Sequence, residues 1–144
     1  MKRYIWIVCA FLSPVIVASA AGAGDFDGAR TLLISVIRVV ECMPDADCRE
    51  VAPASVELPQ FLKIDFANKT IRPAAADDET PATAIERQEV VDGKLILQGA
   101  EDGYEKLRDG RGWTMAISED SGQVVLTASG DQVAFVVFGA ALPL

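Results

Sequence analysis

The chain has 144 residues, with 13 Lys and Arg, 21 Asp and Glu, and no histidine. Its length suits a single domain. Without histidine the usual nucleophile–base triads, imidazole-bound zinc or copper and the main charge switch of physiological pH are excluded, which leaves carboxylates, Ser/Lys, Tyr or a thiolate for any catalysis. A net charge of −8 argues against nucleic acid and anionic lipid as partners and favours cationic ones.

Residues 1–20 have the layout of an export signal. Lys2-Arg3 form a charged start, an apolar run covers 4–17, and Ala18-Ser19-Ala20 make an A-x-A cleavage signal. The run is shorter than the ~20 apolar residues a membrane span needs, and Pro14 interrupts it. Cleavage leaves an acidic lead-in over 21–30, expected to be extended, and a single all-β domain over 31–144. No transmembrane anchor is expected after cleavage. Two of the 13 basic residues leave with the leader, so 11 face 21 acidic ones and the net charge becomes −10.

Cys9 also leaves with the leader, and Trp6-Ile7-Val8 lacks the small residues lipidation needs before a cysteine. Cys42 and Cys48 remain, an even number in an oxidising compartment, and a disulfide is expected between them. Closing so short a loop stabilises by about 2 kcal/mol on the chain-entropy argument. The C-x5-C spacing fits neither a zinc knuckle nor a thioredoxin-type redox motif.

The run over 33–42 is ambiguous by period, since Ala29, Leu32, Leu33, Val36, Ile37 and Val40 share a helical face. Its Val and Ile content fits a pleated surface better, and a strand buried on both faces is expected. Leu62, Ile64 and Phe66 alternate with Lys63 and Asp65, a half-buried strand over 61–66. Asn68-Lys69 turns the chain into a short return over 70–72, and a solvated loop follows to Ala82. Strands over 85–91 and 94–98 flank Asp92-Gly93, a dipeptide that favours a type I′ hairpin. A long polar excursion covers 99–112. Trp113, Met115 and Ile117 then alternate with polar or small residues, Asp120-Ser121-Gly122 turns into a strand over 123–128, and Ser129-Gly130-Asp131 turns into one over 132–139.

The fold class expected is all-β, an antiparallel meander of about eight strands forming a small closed barrel or rolled sheet, with a two-sheet sandwich as the alternative. Closure removes exposed edges, and eight strands enclose an interior just wide enough for side chains or one small ligand. Trp113, Met115, Leu95, Leu97, Val124, Leu126, Val133, Phe135 and the Leu62/Ile64/Phe66 set are expected to share one core.

The stretch Leu58-Pro59-Gln60-Phe61-Leu62-Lys63-Ile64-Asp65-Phe66-Ala67-Asn68-Lys69-Thr70-Ile71, with Gly112-Trp113-Thr114-Met115-Ala116-Ile117 and Phe135-Val136-Val137-Phe138-Gly139, resembles a family of exported proteobacterial proteins classed as a domain of unknown function. The resemblance covers most of the chain after the leader. It implies a Gram-negative periplasmic setting, with secretion as the alternative, and carries over no catalytic residue. It also implies a second cysteine pair at the positions of Ile34 and Ala141, which would tie the first strand to the last; both cysteines are missing here.

The binding candidates lie in and beside the long excursion: Glu101, Asp102, Tyr104, Glu105, Arg108, Arg111 and Trp113. Long loops on a rigid sheet are where binding residues gather. Asp45, Asp47 and Glu50 lack the ligand spacing of a calcium loop, and Asp77-Asp78-Glu79 is a solvated charge run. No metal or cofactor is expected. The first functional reading is a non-enzymatic, monomeric periplasmic β protein that binds through its surface, its partner a cationic protein. The second is a carrier of a small apolar ligand inside the barrel. The third is a carboxylate-based hydrolase, which needs two acidic side chains facing each other across a cleft.

Overall fold

The computed structural model describes residues 24–77, 80–103 and 109–144. The leader over 1–20 and the candidates Tyr104, Glu105 and Arg108 lie outside the described residues. Among the described residues, ten strands form one antiparallel sheet: β1 (Leu32–Met43), β2 (Ala46–Val51), β3 (Phe61–Asp65), β4 (Thr70–Pro73), β5 (Thr83–Ala84), β6 (Arg87–Val91), β7 (Lys94–Glu101), β8 (Arg111–Ser118), β9 (Gln123–Gly130) and β10 (Val133–Pro143). Their order is β5-β4-β3-β1-β10-β9-β8-β7-β6, with β2 branching off β1. The sheet curls into a half-barrel. Its two ends, β5 and β6, are joined by only Ile85 and Glu86. There the chain crosses from one edge to the other: the Ile85 amide donates to the Lys69 carbonyl at 2.8 Å and the Glu86 amide to the Gln98 carbonyl at 2.9 Å.

Strand β1 sits at the centre of the order. Its first half pairs with β3, setting Ile34 opposite Leu62, and its second half pairs with β2, setting Glu41 opposite Arg49. Its other edge pairs with β10 and brings Ile34 opposite Ala141, so the first and last strands of the domain do meet. The register slips between Val36 and Arg38, and the extra residue Ile37 points outward, 69% exposed. The Val36 amide donates to the Gln60 carbonyl and the Gln60 side-chain amide donates back to the Val36 carbonyl, which pins this bulge.

The expectation that β1 is buried on both faces is corrected. Only the concave face is covered, because among the described residues no second layer packs on the convex one. Leu32, Ile34, Val36 and Val39 are buried, whereas Ile37, Phe138 and Leu142 are exposed. The turn chemistry behaves as the dipeptides require, with Asp92 and Gly93 both at positive φ (48° and 71°) and Lys69 at 52° after Asn68. The turn expected at 129–131 is narrowed to Asp131-Gln132, since β9 runs to Gly130, with Gln132 at φ 59°. The 99–112 excursion is shorter than expected, since β7 runs to Glu101 and β8 begins at Arg111. The lead-in does not run extended: residues 24–30 make turns and bends, and Phe26 is buried in the core.

Side chains on the concave face line up in cross-strand rows. One runs Leu95–Ile117–Val124–Gly139–Val36, the next Leu97–Met115–Leu126–Val137–Val39, and the third Gly99–Trp113–Ala128–Phe135–Glu41. They do not make one core. A larger cluster is centred on Leu32, Ile34, Ile64, Leu95, Leu97, Met115 and Ile117, all at 2% exposure or less. A smaller one consists of Val36, Val39 and Val137 with Phe135 packed against it. Val133 belongs to neither, because it stands at the start of β10 beside the turn, and Phe135 is only partly buried.

Candidate functional site

The third row explains where space opens. Trp113 is flanked across the sheet by Gly99 on one side and Ala128 on the other. A Cβ on Gly99 would lie 2.6 Å from the indole Cζ2 and 2.6 Å from the Ala84 carbonyl oxygen, so the ring lies over bare backbone there. An aromatic ring covering a cross-strand glycine is a packing device of curved sheets. On the other side Ala128 is too short to fill the distance between Trp113 and Phe135, its two cross-strand neighbours. A cavity of about 300 Å³ opens on the concave face beside these residues.

Its walls are mostly apolar: Val39, Leu62, Ile71, Leu126 and Val137 join Trp113 and Phe135. The segment between β2 and β3 closes one side. There Pro53–Val56 forms one 3₁₀ turn, ending at Glu57 in the left-handed region (φ 57°), and Val56, Glu57, Leu58 and Pro59 face the space. Polar groups gather at the rim, where Arg72, Thr83, Glu101 and Arg111 contribute. The size sits at the lower bound of small-molecule pockets, and apolar walls with a few polar groups are their usual make-up.

Of the predicted site residues, the fold brings three together. Glu101 and Arg111 face each other on the last rung of the β7–β8 ladder, Trp113 lies two residues further along β8, and all three line the cavity. Asp102 is exposed just past β7 and is not part of the wall. The Thr83 hydroxyl donates to Glu101 Oε1 at 2.5 Å, tying the short edge strand β5 to the end of β7. Trp113 is 8% exposed, and its indole Nε1 is buried with no acceptor among the described residues. An orphaned buried donor of this kind costs about 1–3 kcal/mol.

Sequence reasoning missed Glu57, Arg72 and Thr83. Arg72 and Thr83 sit on strands too short to carry a clear alternation, and Glu57 follows a turn with no periodic signal. The apolar walls were legible in part, because period 2 puts Trp113, Leu126 and Phe135 on one face.

A second polar feature lies on the β1–β2 hairpin. Cys42 and Cys48 are bonded across it with their Cα atoms 4.2 Å apart. Arg49 donates to Glu41 at 2.7 Å and Arg38 to Glu50 at 2.9 Å, so Glu50 is an ion-pair partner. Among the described residues no three His, Cys, Asp or Glu side chains are grouped to hold a metal, and no helix is long and apolar enough to cross a membrane. Compared with family models, curated proteins and solved structures, the chain finds no match.

Proposed function

We propose that this protein is a non-enzymatic exported β protein that holds a small apolar ligand inside its half-barrel. The observation that carries the reading is the cavity of about 300 Å³ with predominantly apolar walls. A filled interior would have removed it. The cysteine pair supports an oxidising compartment, and the leader-like start supports export, with the periplasm of a Gram-negative bacterium as the setting and secretion as the alternative.

Titration of the exported protein with 1-octanol, followed at the Trp113 indole N–H resonance, tests the reading. A saturable shift is expected in the parent protein. Ala128→Leu adds bulk between Trp113 and Phe135, and should abolish that shift while the rest of the spectrum stays dispersed. A shift that survives Ala128→Leu unchanged would place the ligand elsewhere and end the carrier reading.

The second reading is surface contact with a cationic protein, favoured by the excess of 21 acidic over 13 basic residues. It predicts complexes with basic proteins that weaken steeply as salt rises past the screening range. No nucleic-acid partner and no cofactor enter either reading.

A further inference from the structure

We propose that the cavity takes a small amphipathic acid, its apolar body against the valine and leucine walls and its carboxylate toward Arg111. The inference rests on the carrier reading above and adds the chemical class of the ligand. A cavity of about 300 Å³, at ~30 Å³ per water-sized group, holds about ten non-hydrogen atoms.

The choice of an acid comes from the cation left open at the cavity, Arg111. Arg111 and Trp113 are two residues apart on β8, hence on one face and about 7 Å from each other along the strand. Both line the cavity, and guanidinium and indole groups only donate hydrogen bonds. The Trp113 Nε1 is buried without an acceptor among the described residues. Arg111 likewise has no hydrogen-bond or ion-pair partner among them, whereas Arg72, the other cation of the wall, is engaged. The cross-strand neighbour that would neutralise Arg111 is Glu101, and its carboxylate instead accepts from Thr83 at 2.5 Å.

The wall also contains acidic groups, and they sharpen the choice. Glu57 comes from the turn after Pro53–Val56 and Glu101 from the end of β7, so a carboxylate is repelled wherever Arg111 does not face it. A cationic amphiphile would gain Glu57 and Glu101 but would meet Arg111 as a like charge. An uncharged one would leave Arg111 without a counter-charge. An acid gives Arg111 its counter-charge, and a charge-assisted bond to guanidinium is the stronger kind.

The experiment compares three eight-carbon probes on the exported protein at neutral pH, each followed at the Trp113 indole N–H resonance: octanoate, 1-octanol and octylammonium. Octanoate has ten non-hydrogen atoms. It is expected to bind about tenfold tighter than 1-octanol, as a charge-assisted bond allows. Arg111→Gln, at an exposed position whose loss leaves the core intact, should remove that advantage and change 1-octanol by less than about twofold. If octylammonium binds tightest, or if Arg111→Gln leaves octanoate unchanged, the acid assignment is overturned while a carrier of apolar ligands stands. If none of the three gives a saturable shift, the carrier reading itself falls and this inference with it.

Discussion

The concave face of the half-barrel is packed at one end and hollow at the other, although the same strands β7 to β10 and β1 build both. At the packed end the rows carry Leu95, Ile117, Leu97 and Met115, each with no measurable exposure. At the hollow end the corresponding places are Gly99 and Ala128, beside a partly buried Phe135. The ladders from β7 to β10 continue unbroken through both, so the space comes from side-chain volume rather than from a break in those strands. Small residues do not have one meaning here. Gly139 stands in a packed row, and a Cβ on it would meet the Ser35 carbonyl oxygen at 2.6 Å, so there a missing side chain lets β1 and β10 approach closely. Ala128 instead leaves room.

The largest expected effect separates the two ends by truncation. Met115→Ala removes a fully buried side chain set between Leu97 and Leu126 and should cost about 2–5 kcal/mol in urea unfolding. Phe135→Ala, which full core burial would put at about 3–5 kcal/mol, should cost under ~2 kcal/mol, because one side of the ring already borders empty space. Equal losses at the two sites would erase the distinction between the ends.

The hollow end has less apolar contact to hold it, and the covalent brace lies there. Cys42 follows Glu41, the residue opposite Phe135, and is bonded to Cys48 across the hairpin. The ion pairs Arg38–Glu50 and Arg49–Glu41 lie along the same hairpin with largely exposed cationic partners, so each adds little. Replacing both cysteines by serine should cost about 2 kcal/mol. Amide exchange should rise at the end of β1 and in β2 while Leu95, Leu97 and Met115 stay protected. A loss of protection spread evenly over the sheet would show that the brace serves the whole domain.

A sharper probe lies between the two ends. Gly99→Ala puts a methyl against the Trp113 ring and the Ala84 carbonyl, and one of these must move. The expected loss is about 1–3 kcal/mol, as in other overpacked sites, accompanied by a changed Trp113 indole resonance. A neutral substitution would mean that the ring slides freely into the cavity, and that the hollow end lacks a defined wall.

How much of this could be read from the chain alone depends on the range of the forces involved. Hairpins with local turn chemistry were legible: Asp92-Gly93 requires positive φ whatever surrounds it, and Leu62/Ile64 and Trp113/Met115/Ile117 declare one buried face by alternation. Eight of the ten strands follow from such signals. The two missed are β2, whose residues are exposed except Val51 and which exists by pairing with β1, and β5, two residues long and held by β4 and by Glu101. Neither carries a period of its own. The outward faces of β1 and β10 misled for a related reason: Ile37, Phe138 and Leu142 are as apolar as core residues but have no layer above them. The cavity was legible only as a possibility of barrel size, since its volume depends on which residues meet across Trp113–Ala128–Phe135, a matter of register.

The smallest expected effect tests whether the packed end owes its stability to burial alone. Asp65 directly follows the fully buried Ile64 and opens the β3–β4 turn. The Asn68 side-chain amide donates to Asp65 Oδ2 at 2.8 Å and the Asn68 backbone amide to Oδ1 at 3.1 Å. These bonds favour the charged carboxylate and hold its pKa below the ordinary aspartate value. Because the folded-state pKa is lowered, the contribution is fully present above the unfolded-state pKa and fades as pH falls through the folded one. Carboxyl NMR titration should therefore find the Asp65 midpoint below that of an unstructured aspartate, and Asp65→Ala should speed amide exchange at Asn68 and Lys69. The carboxylate is solvent-facing and its charge well screened, so the acid-unfolding midpoint of the domain should stay where it was. A clear upward move of that midpoint in Asp65→Ala would show that the turn, and not only the Ile64–Ile71 contact behind it, holds the packed end together.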